Sequence, residues 1–392
     1  MSSKFNTWFR GQRLTLDADH LPMLQSLHGA IWFHAASVGE FEQARPIIEK
    51  LKIKNEKLKI VVTFFSPSGY EARKGYELAD GVFYLPLATR RNARKFLDAL
   101  QPSMAIFVKY EFWPAYLREL KKRDIPTYSI CSIFRPKQIF FKWWGWRYRN
   151  VLKCFTQLFV QDEASRVLLE KYGITQVSVA GDTRFDRMAE VMANGERANG
   201  ERLSPIADFA RGCERVIVAG STWPKDEALL MKCCNDASLN DVKLILVPHE
   251  LDEKHLHYIF NLFQGRYVRY SRATRASLID AQVMVVDTMG LLSSIYRFGQ
   301  VAYIGGGFGA GIHNTIEAAA YGMPVIFGPN YAHFREAQGL IDAGAARSIK
   351  NYSELEAALD TALEQHEMIG AKAAEYVASE IGASDRIYKE IF

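Results

Sequence analysis

Short apolar runs recur along the chain, each ending in glycine or polar residues and followed by a stretch with helical spacing. In the first half they are residues 30–35 (AIWFHA), 59–65 (KIVVTFF), 81–85 (GVFYL), 104–109 (MAIFVK), 127–131 and 157–161. The pattern restarts at 215–219 (RVIVA), 243–247, 283–286 and 301–304, then from 324 (PVIF) and at 345–349. Unbroken apolar runs of this length read as strands buried on both faces. Their alternation with helices predicts parallel sheets with right-handed crossovers. Residues 188–212 are polar, carry Asn194-Gly195 and Asn199-Gly200, and show no strand pattern. They are expected to hold the interdomain connection and some helix. The fold class expected is α/β, with two Rossmann-like parallel-sheet domains facing a central cleft. The division expected is 1–186, 187–375, and a C-terminal helix in 376–392 that packs back toward the first domain.

Loops at the carboxyl ends of such strands are where open α/β sheets place ligands. Residues 301–329 (VAYIGGGFGAGIHNTIEAAAYGMPVIFGP) read as strand, glycine loop, helix, strand. Glycine lets backbone approach a ligand closely, and a helix start offers free N–H groups to an anion. Asn314 and Glu317 share one face of the first turn, where a carboxylate can accept hydrogen bonds from sugar hydroxyls. The alternative is a tight turn with Asn314 and Glu317 in capping roles. In the first half, Glu40 and Glu111 each lie just past a strand end. They can act as a general base and its partner, or as a helix cap and an ion pair. Two carboxylates also serve glycoside hydrolysis, so the pair alone selects no reaction. Arg184, in Gly181-Asp-Thr-Arg184, can hold a carboxylate or phosphate, or pair with Asp182 or Asp186.

Composition narrows the classes. The five cysteines make no C-x-x-C pair and no zinc spacing, and His34, His249 and His313 share no metal spacing. No apolar run reaches the ~18 residues of a membrane span, and the start MSSKFNTWFRGQR lacks the apolar core of a signal peptide. Charge is uneven: residues 1–180 hold 28 Lys/Arg against 16 Asp/Glu, and residues 181–392 hold 21 against 28. A basic first half favours phosphates, nucleic acid or anionic lipid. Residues 135–150 (RPKQIFFKWWGWRYRN) mix five basic side chains with six aromatic ones. That mixture suits a lipid interface, a single nucleic-acid strand, or an aromatic helix packed on the sheet with its cations reaching out. The lipid surface is the preferred reading.

Taken together, HAASVGEFEQARP, TFFSPSGYE, KYEFWPAYL, GDTRFDR, AGSTWPKDE, VDTMG and GIHNTIEAAAYGMPVIFGPNYAHFREA resemble the Kdo (3-deoxy-D-manno-octulosonic acid) transferases of lipopolysaccharide synthesis. The resemblance implies a GT-B glycosyltransferase, inverting and without metal or cofactor. It implies CMP-Kdo as donor, bound by the C-terminal domain, and a lipid A precursor as acceptor, bound by the N-terminal one. Glu40 would be the base, with Glu111 and Arg184 supporting the transition state. CMP would be held by Gly220, Ser221, Pro248, His249, Met289, Gly290, Leu291, Asn314, Thr315, Ile316 and Glu317. The enzyme would sit peripherally on the cytoplasmic face of the inner membrane, touch its anionic surface and bind no nucleic acid. Phe5, Trp8 and Phe9 would help dock it. The chain departs from the family in Pro248-His249-Glu250, where an Arg-His pair often follows the proline. It departs also in Leu291, where glutamate is frequent, and in Arg184, where lysine is. The rival activity is a UDP-sugar 2-epimerase on the same fold, and the rival without chemistry is a lipid-binding protein.

Overall fold

Ile31–Ala35 and Ile60–Phe64 are buried at every position, as both-face strands must be. Alternate residues serve opposite faces of the sheet: Trp32, Val61, Ala105 and Phe107 join one core, and Ile31, Phe33, Val62 and Ile106 the other. The computed structural model describes residues 11–194, 200–236 and 241–392. The docking side chains expected at Phe5, Trp8 and Phe9, and the turn residues Gly195 and Asn199, lie outside them.

The chain divides into two compact units, one of residues up to 187 together with 380–392, the other of residues 188–379. In the first, the strands are β1 (Ile31–Ala35), β2 (Ile60–Phe64), β3 (Gly81–Tyr84), β4 (Met104–Val108), β5 (Thr127–Ser132), β6 (Gln157–Val160) and β7 (Val177–Val179). They form one sheet in the order β3-β2-β1-β4-β5-β6-β7, and every pair is parallel. The order reverses direction between β1 and β4, so the loops after these two strands flank a switch point. Glu40 and Glu111 follow those strands.

The second unit has β8 (Val216–Thr222), β9 (Lys243–Pro248), β10 (Tyr267–Arg269), β11 (Val283–Val285), β12 (Val301–Ile304), β13 (Val325–Phe327) and β14 (Ala346–Ser348). Its order is β10-β11-β9-β8-β12-β13-β14, again all parallel. The switch point lies between β8 and β12, where Gly220-Ser221 and the glycine loop stand.

Strands β7 and β10 have three residues each and were not among the apolar runs. Helices Thr183–Asn194 and Gly200–Ala210 occupy most of the stretch expected to hold the connection. The C-terminal helix Ala383–Ile391 belongs to the first unit. The Asp186 carboxylate accepts from Gly382 N at 2.6 Å and Ser384 N at 2.9 Å, and Arg386 Nε donates to the Ala180 carbonyl at 2.8 Å.

The aromatic-basic segment splits in two. Phe140 and Phe141 turn inward onto the Phe112–Phe134 cluster, through a 3-10 turn at Ile139–Phe141. Trp143, Trp144, Trp146 and Tyr148 point outward, Trp143 being 89% exposed. Gly145 makes that turn possible, since a Cβ there would stand 1.8 Å from the Ile139 carbonyl oxygen.

Candidate active site

The loop after β1 starts the helix Val38–Lys54, with Ser37 as its N-cap. Glu40 reaches back so that Oε2 accepts from Ala36 N at 2.7 Å. That is a capping bond, and it fixes the carboxylate at the strand end. Oε1 carries no hydrogen bond among the described residues. Burial, then the nearby charge of Glu111, pushes the Glu40 carboxyl above its ordinary range, while the Ala36 N–H, Lys109 and His34 pull it down.

Glu111 is 8% exposed. Its Oε2 accepts from Trp113 Nε1 at 2.6 Å and lies 2.9 Å from His34 Nε2. His34 Nδ1 meets Thr63 Oγ1 at 2.9 Å, and that hydroxyl accepts from Trp32 Nε1 at 2.8 Å. His34 Nδ1 also lies 3.1 Å from the Thr63 carbonyl, and Trp113 Nε1 lies 3.1 Å from His34 Nε2, so imidazole, indole and carboxylate form one cluster. In place of the alternative Lys or Arg ion pair, Glu111 is held by an imidazole and an indole. Both partners are invisible to charge counting, although Trp113 stands only two residues on.

Arg184 donates from Nε and Nη2 to Asp182 Oδ2, at 2.9 and 2.7 Å. This is the ion pair weighed from the sequence, but it is not a surface one, because Asp182 is fully buried. Burial pushes the Asp182 carboxyl up; the Arg184 charge and hydrogen bonds, with Lys109, outweigh it and hold the group at about 2. Asp182 Oδ1 also accepts from Gln43 Nε2 at 2.8 Å, and Thr183 Oγ1 donates to the Gln43 carbonyl at 2.6 Å. The helix that carries Glu40 is therefore tied to the start of the helix that carries Arg184, and the three predicted residues share one neighbourhood of the first unit. Lys109 completes it, and sequence reading passed over it. Its φ of 56° is left-handed, a costly conformation for a lysine, and it falls where β4 ends.

In the second unit, β8 ends in a bulge at Ser221, whose φ is 54°. A Cβ on Gly220 would meet the Tyr296 hydroxyl at 2.1 Å, so that glycine makes room for protein. Two glycines of the glycine loop are of the same kind. A Cβ on Gly305 would stand 2.3 Å from the Ser221 carbonyl oxygen, and one on Gly307 would run into Gly328. These glycines pack strand ends together. The clamp is Asp226, fully buried, which accepts from Tyr303 OH at 2.8 Å, Gly306 N at 2.8 Å and Trp223 N at 3.0 Å.

Other predicted donor residues separate by exposure. Met289 and His249 are exposed, and Gly290 has φ 82°. Pro248, Leu291, Thr315 and Ile316 are buried, so Leu291 and Ile316 offer a ligand their backbone alone. Asn314 Oδ1 accepts from Ile316 N at 3.1 Å and Nδ2 donates to Glu317 Oε1 at 3.0 Å. The helix they open, Ile316–Ala320, is five residues long. Its aligned dipoles are few, and the anion-holding power expected of a full helix start is correspondingly small.

Trp223, His249 and His313 stack in sequence, with centroids 4.8 and 4.5 Å apart. Trp223 Nε1 donates to His313 Nε2 at 3.1 Å. Burial, then the His249 charge, lowers His313 to about 4, which keeps this ring neutral at pH 7. Trp223, Lys225, Phe308, Gly309 and His313 border a cavity of about 500 Å³. Among the described residues no three His, Cys, Asp or Glu side chains gather as a metal site would require.

A family model described as "3-Deoxy-D-manno-octulosonic-acid transferase (kdotransferase)" matches residues 10–187, the unit that holds Glu40, Glu111 and Arg184. A 3-deoxy-D-manno-octulosonic acid transferase of Rickettsia prowazekii is 27% identical over 84% of this chain and 70% of its own length. One of Aquifex aeolicus is 25% identical over 85% of each chain. The chain is similar to the Kdo transferases over 84% and 85% of its length in these two comparisons. It is a glycosyltransferase of lipopolysaccharide synthesis, and its two-unit α/β architecture is GT-B-like. A UDP-GlcNAc 2-epimerase of Neisseria meningitidis superposes with a TM-score of 0.66, over 92% of this chain and 98% of that one. At 15% identity the likeness is one of fold.

Proposed function

We propose that this enzyme moves Kdo from CMP-Kdo to a lipid A precursor of the lipid IVA type, with inversion at the anomeric carbon. The observation that carries the reading is the Glu40 carboxylate, anchored through Oε2 and with Oε1 unbonded, at the switch point of the first sheet. Oε1 takes the proton of the acceptor hydroxyl as that oxygen attacks the anomeric carbon. The bond from that carbon to the CMP phosphate breaks, and CMP leaves with the electron pair. Glu111, fixed by His34 and Trp113, faces the positive charge that develops on the sugar. Arg184, held by Asp182, supplies a fixed cation beside them. Glu317, His249, Met289 and Gly290 hold the CMP moiety. No step calls on a metal. The test is a transfer assay with CMP-Kdo generated in situ and a tetra-acylated precursor, read by mass spectrometry. The result expected is product heavier by one or more Kdo units. Epimer formed from UDP-N-acetylglucosamine alone, with no Kdo product, overturns the reading.

Glu317→Ala removes a charge-assisted hydrogen bond to the donor, worth about 1.5–3 kcal/mol. CMP affinity by calorimetry is expected to fall by one to two orders of magnitude, and equal affinity takes Glu317 out of the donor site.

We also infer that the first unit rests on an anionic lipid surface, the inner membrane's cytoplasmic face. No described helix is long and apolar enough to cross a membrane. Trp143, Trp144 and Trp146 stand exposed beside Lys142 and Arg147, the mixture that seats at a headgroup layer. Replacing the three tryptophans by serine is expected to abolish most co-sedimentation with vesicles containing phosphatidylglycerol. Unchanged co-sedimentation rejects this surface.

A further inference from the structure

Beside the carboxylate cluster the first unit holds a cavity of about 290 Å³ at the carboxyl ends of β2 and β3. Phe65, Leu85, Pro86, Leu87 and Trp113 make its apolar wall, and Gln12 borders it. Two observations single it out.

The first is Gln12. Its side chain is 4% exposed, and its Nε2 is buried without a hydrogen-bond partner. The Pro86 and Leu87 carbonyls of the wall, and that of Tyr84, already accept hydrogen bonds. Thr15 Oγ1 donates to the Tyr84 carbonyl at 2.7 Å, Tyr116 OH to the Pro86 carbonyl at 2.7 Å, and Asn92 Nδ2 to the Leu87 carbonyl at 3.0 Å. A buried amide nitrogen beside an apolar wall with no partner is costly, and a leucine of similar size would avoid the cost. The arrangement makes sense when something else brings an oxygen.

The second is Trp113. Its ring packs on Phe65 with centroids 5.1 Å apart and lines the cavity, while its indole N–H donates to Glu111 at 2.6 Å. One side chain is thus both wall of the cavity and donor to the site carboxylate. Whatever fills the cavity presses on the residue that orients Glu111.

We propose that this cavity is a subsite for the first segment of a fatty-acyl chain, and that Gln12 recognises an oxygen on that chain, an ester or amide carbonyl or a hydroxyl. The proposal rests on the lipid acceptor of the preceding section and names which part of it is recognised. At ~30 Å³ per water-sized group the space takes on the order of ten heavy atoms. That is the oxygen-bearing start of a chain, and the remainder leaves past Leu87, which is 41% exposed at the rim. Gln12 and Trp113 are then specificity-determining residues: the amide reads the chain, and the indole passes its presence to Glu111.

The experiment uses the full chain, the tetra-acylated precursor and the same precursor stripped of its ester-linked and amide-linked chains. Gln12→Leu keeps size and removes the donor; Leu87→Trp blocks the rim. For both variants the ratio of kcat/KM between acylated and deacylated acceptor is expected to fall about tenfold. Gln12→Leu is expected to hold or raise the melting temperature, because an orphaned amide is gone. A ratio that stays at the wild-type value overturns the subsite. So does a loss equal for both acceptors with a lowered melting temperature, which marks Gln12 as structural. Should the wild-type chain transfer to neither acceptor, the failure lies with the proposed reaction. Calorimetric titration with N-(3-hydroxydecanoyl)glucosamine then decides the subsite separately. Binding weakened about tenfold by Gln12→Leu upholds it, and no binding to the wild type overturns it.

Discussion

Glu40→Gln is expected to lower kcat by about 10²–10⁴-fold, the usual worth of a positioned general base. The amide oxygen can still accept from Ala36 N, so the cap persists and the helix start stays in place. CMP affinity, measured by calorimetry, is expected to remain at the wild-type value, because Glu40 belongs to the unit that lacks the proposed donor residues. Transfer at near wild-type rate removes Glu40 from the chemistry. The pH profile adds a second readout. Burial and then Glu111 raise the Glu40 carboxyl, and the base works ionised. Turnover is therefore lost as pH falls through that raised value, above the range of an exposed glutamate. Glu111→Gln removes one of the raising charges, so the acid limb of kcat/KM is expected to move to lower pH. A limb that stays fixed means the two carboxylates do not sense each other.

Asp226→Ala is expected to be the most damaging single change in the second unit. It orphans Tyr303 OH, Gly306 N and Trp223 N together. At about 1–3 kcal/mol per buried group left without a partner, the loss is on the order of 3 kcal/mol or more. Denaturant unfolding is expected to show a lower midpoint for the unit. CMP affinity is expected to fall more than tenfold as the glycine loop loses its tie to the helix that follows β8. An unchanged midpoint contradicts the clamp, and unchanged CMP affinity separates the loop from the donor site.

The strand ends were legible because parallel strands buried on both faces leave unbroken apolar runs, and chemistry gathers where such runs stop. That placed Glu40 and Glu111 without any knowledge of topology. Four things were hidden for physical reasons. A glycine reads the same whether it makes room for a ligand or for a neighbouring backbone, and Gly305 and Gly307 do the latter. Leu291, Thr315 and Ile316 stand beside exposed or half-buried residues in sequence and are buried in space, because a turn reverses side-chain direction within one or two positions. The partners of Glu111 come from a histidine in β1 and a tryptophan that carries no charge, so no charge pattern marks them. Three-residue edge strands such as β7 and β10 are too short for periodicity to register.

The hydrogen-bonded line Trp32–Thr63–His34–Glu111–Trp113 starts in the hydrophobic core and ends at the chemistry. Positions 32 and 63 look like interchangeable filling by depth alone. A stabilising redesign that repacks that core with aliphatic side chains would keep the fold and detune the carboxylate. Tolerance maps of the enzyme should accordingly show two intolerant sites far below the surface, in a layer where volume-matched exchanges are otherwise accepted.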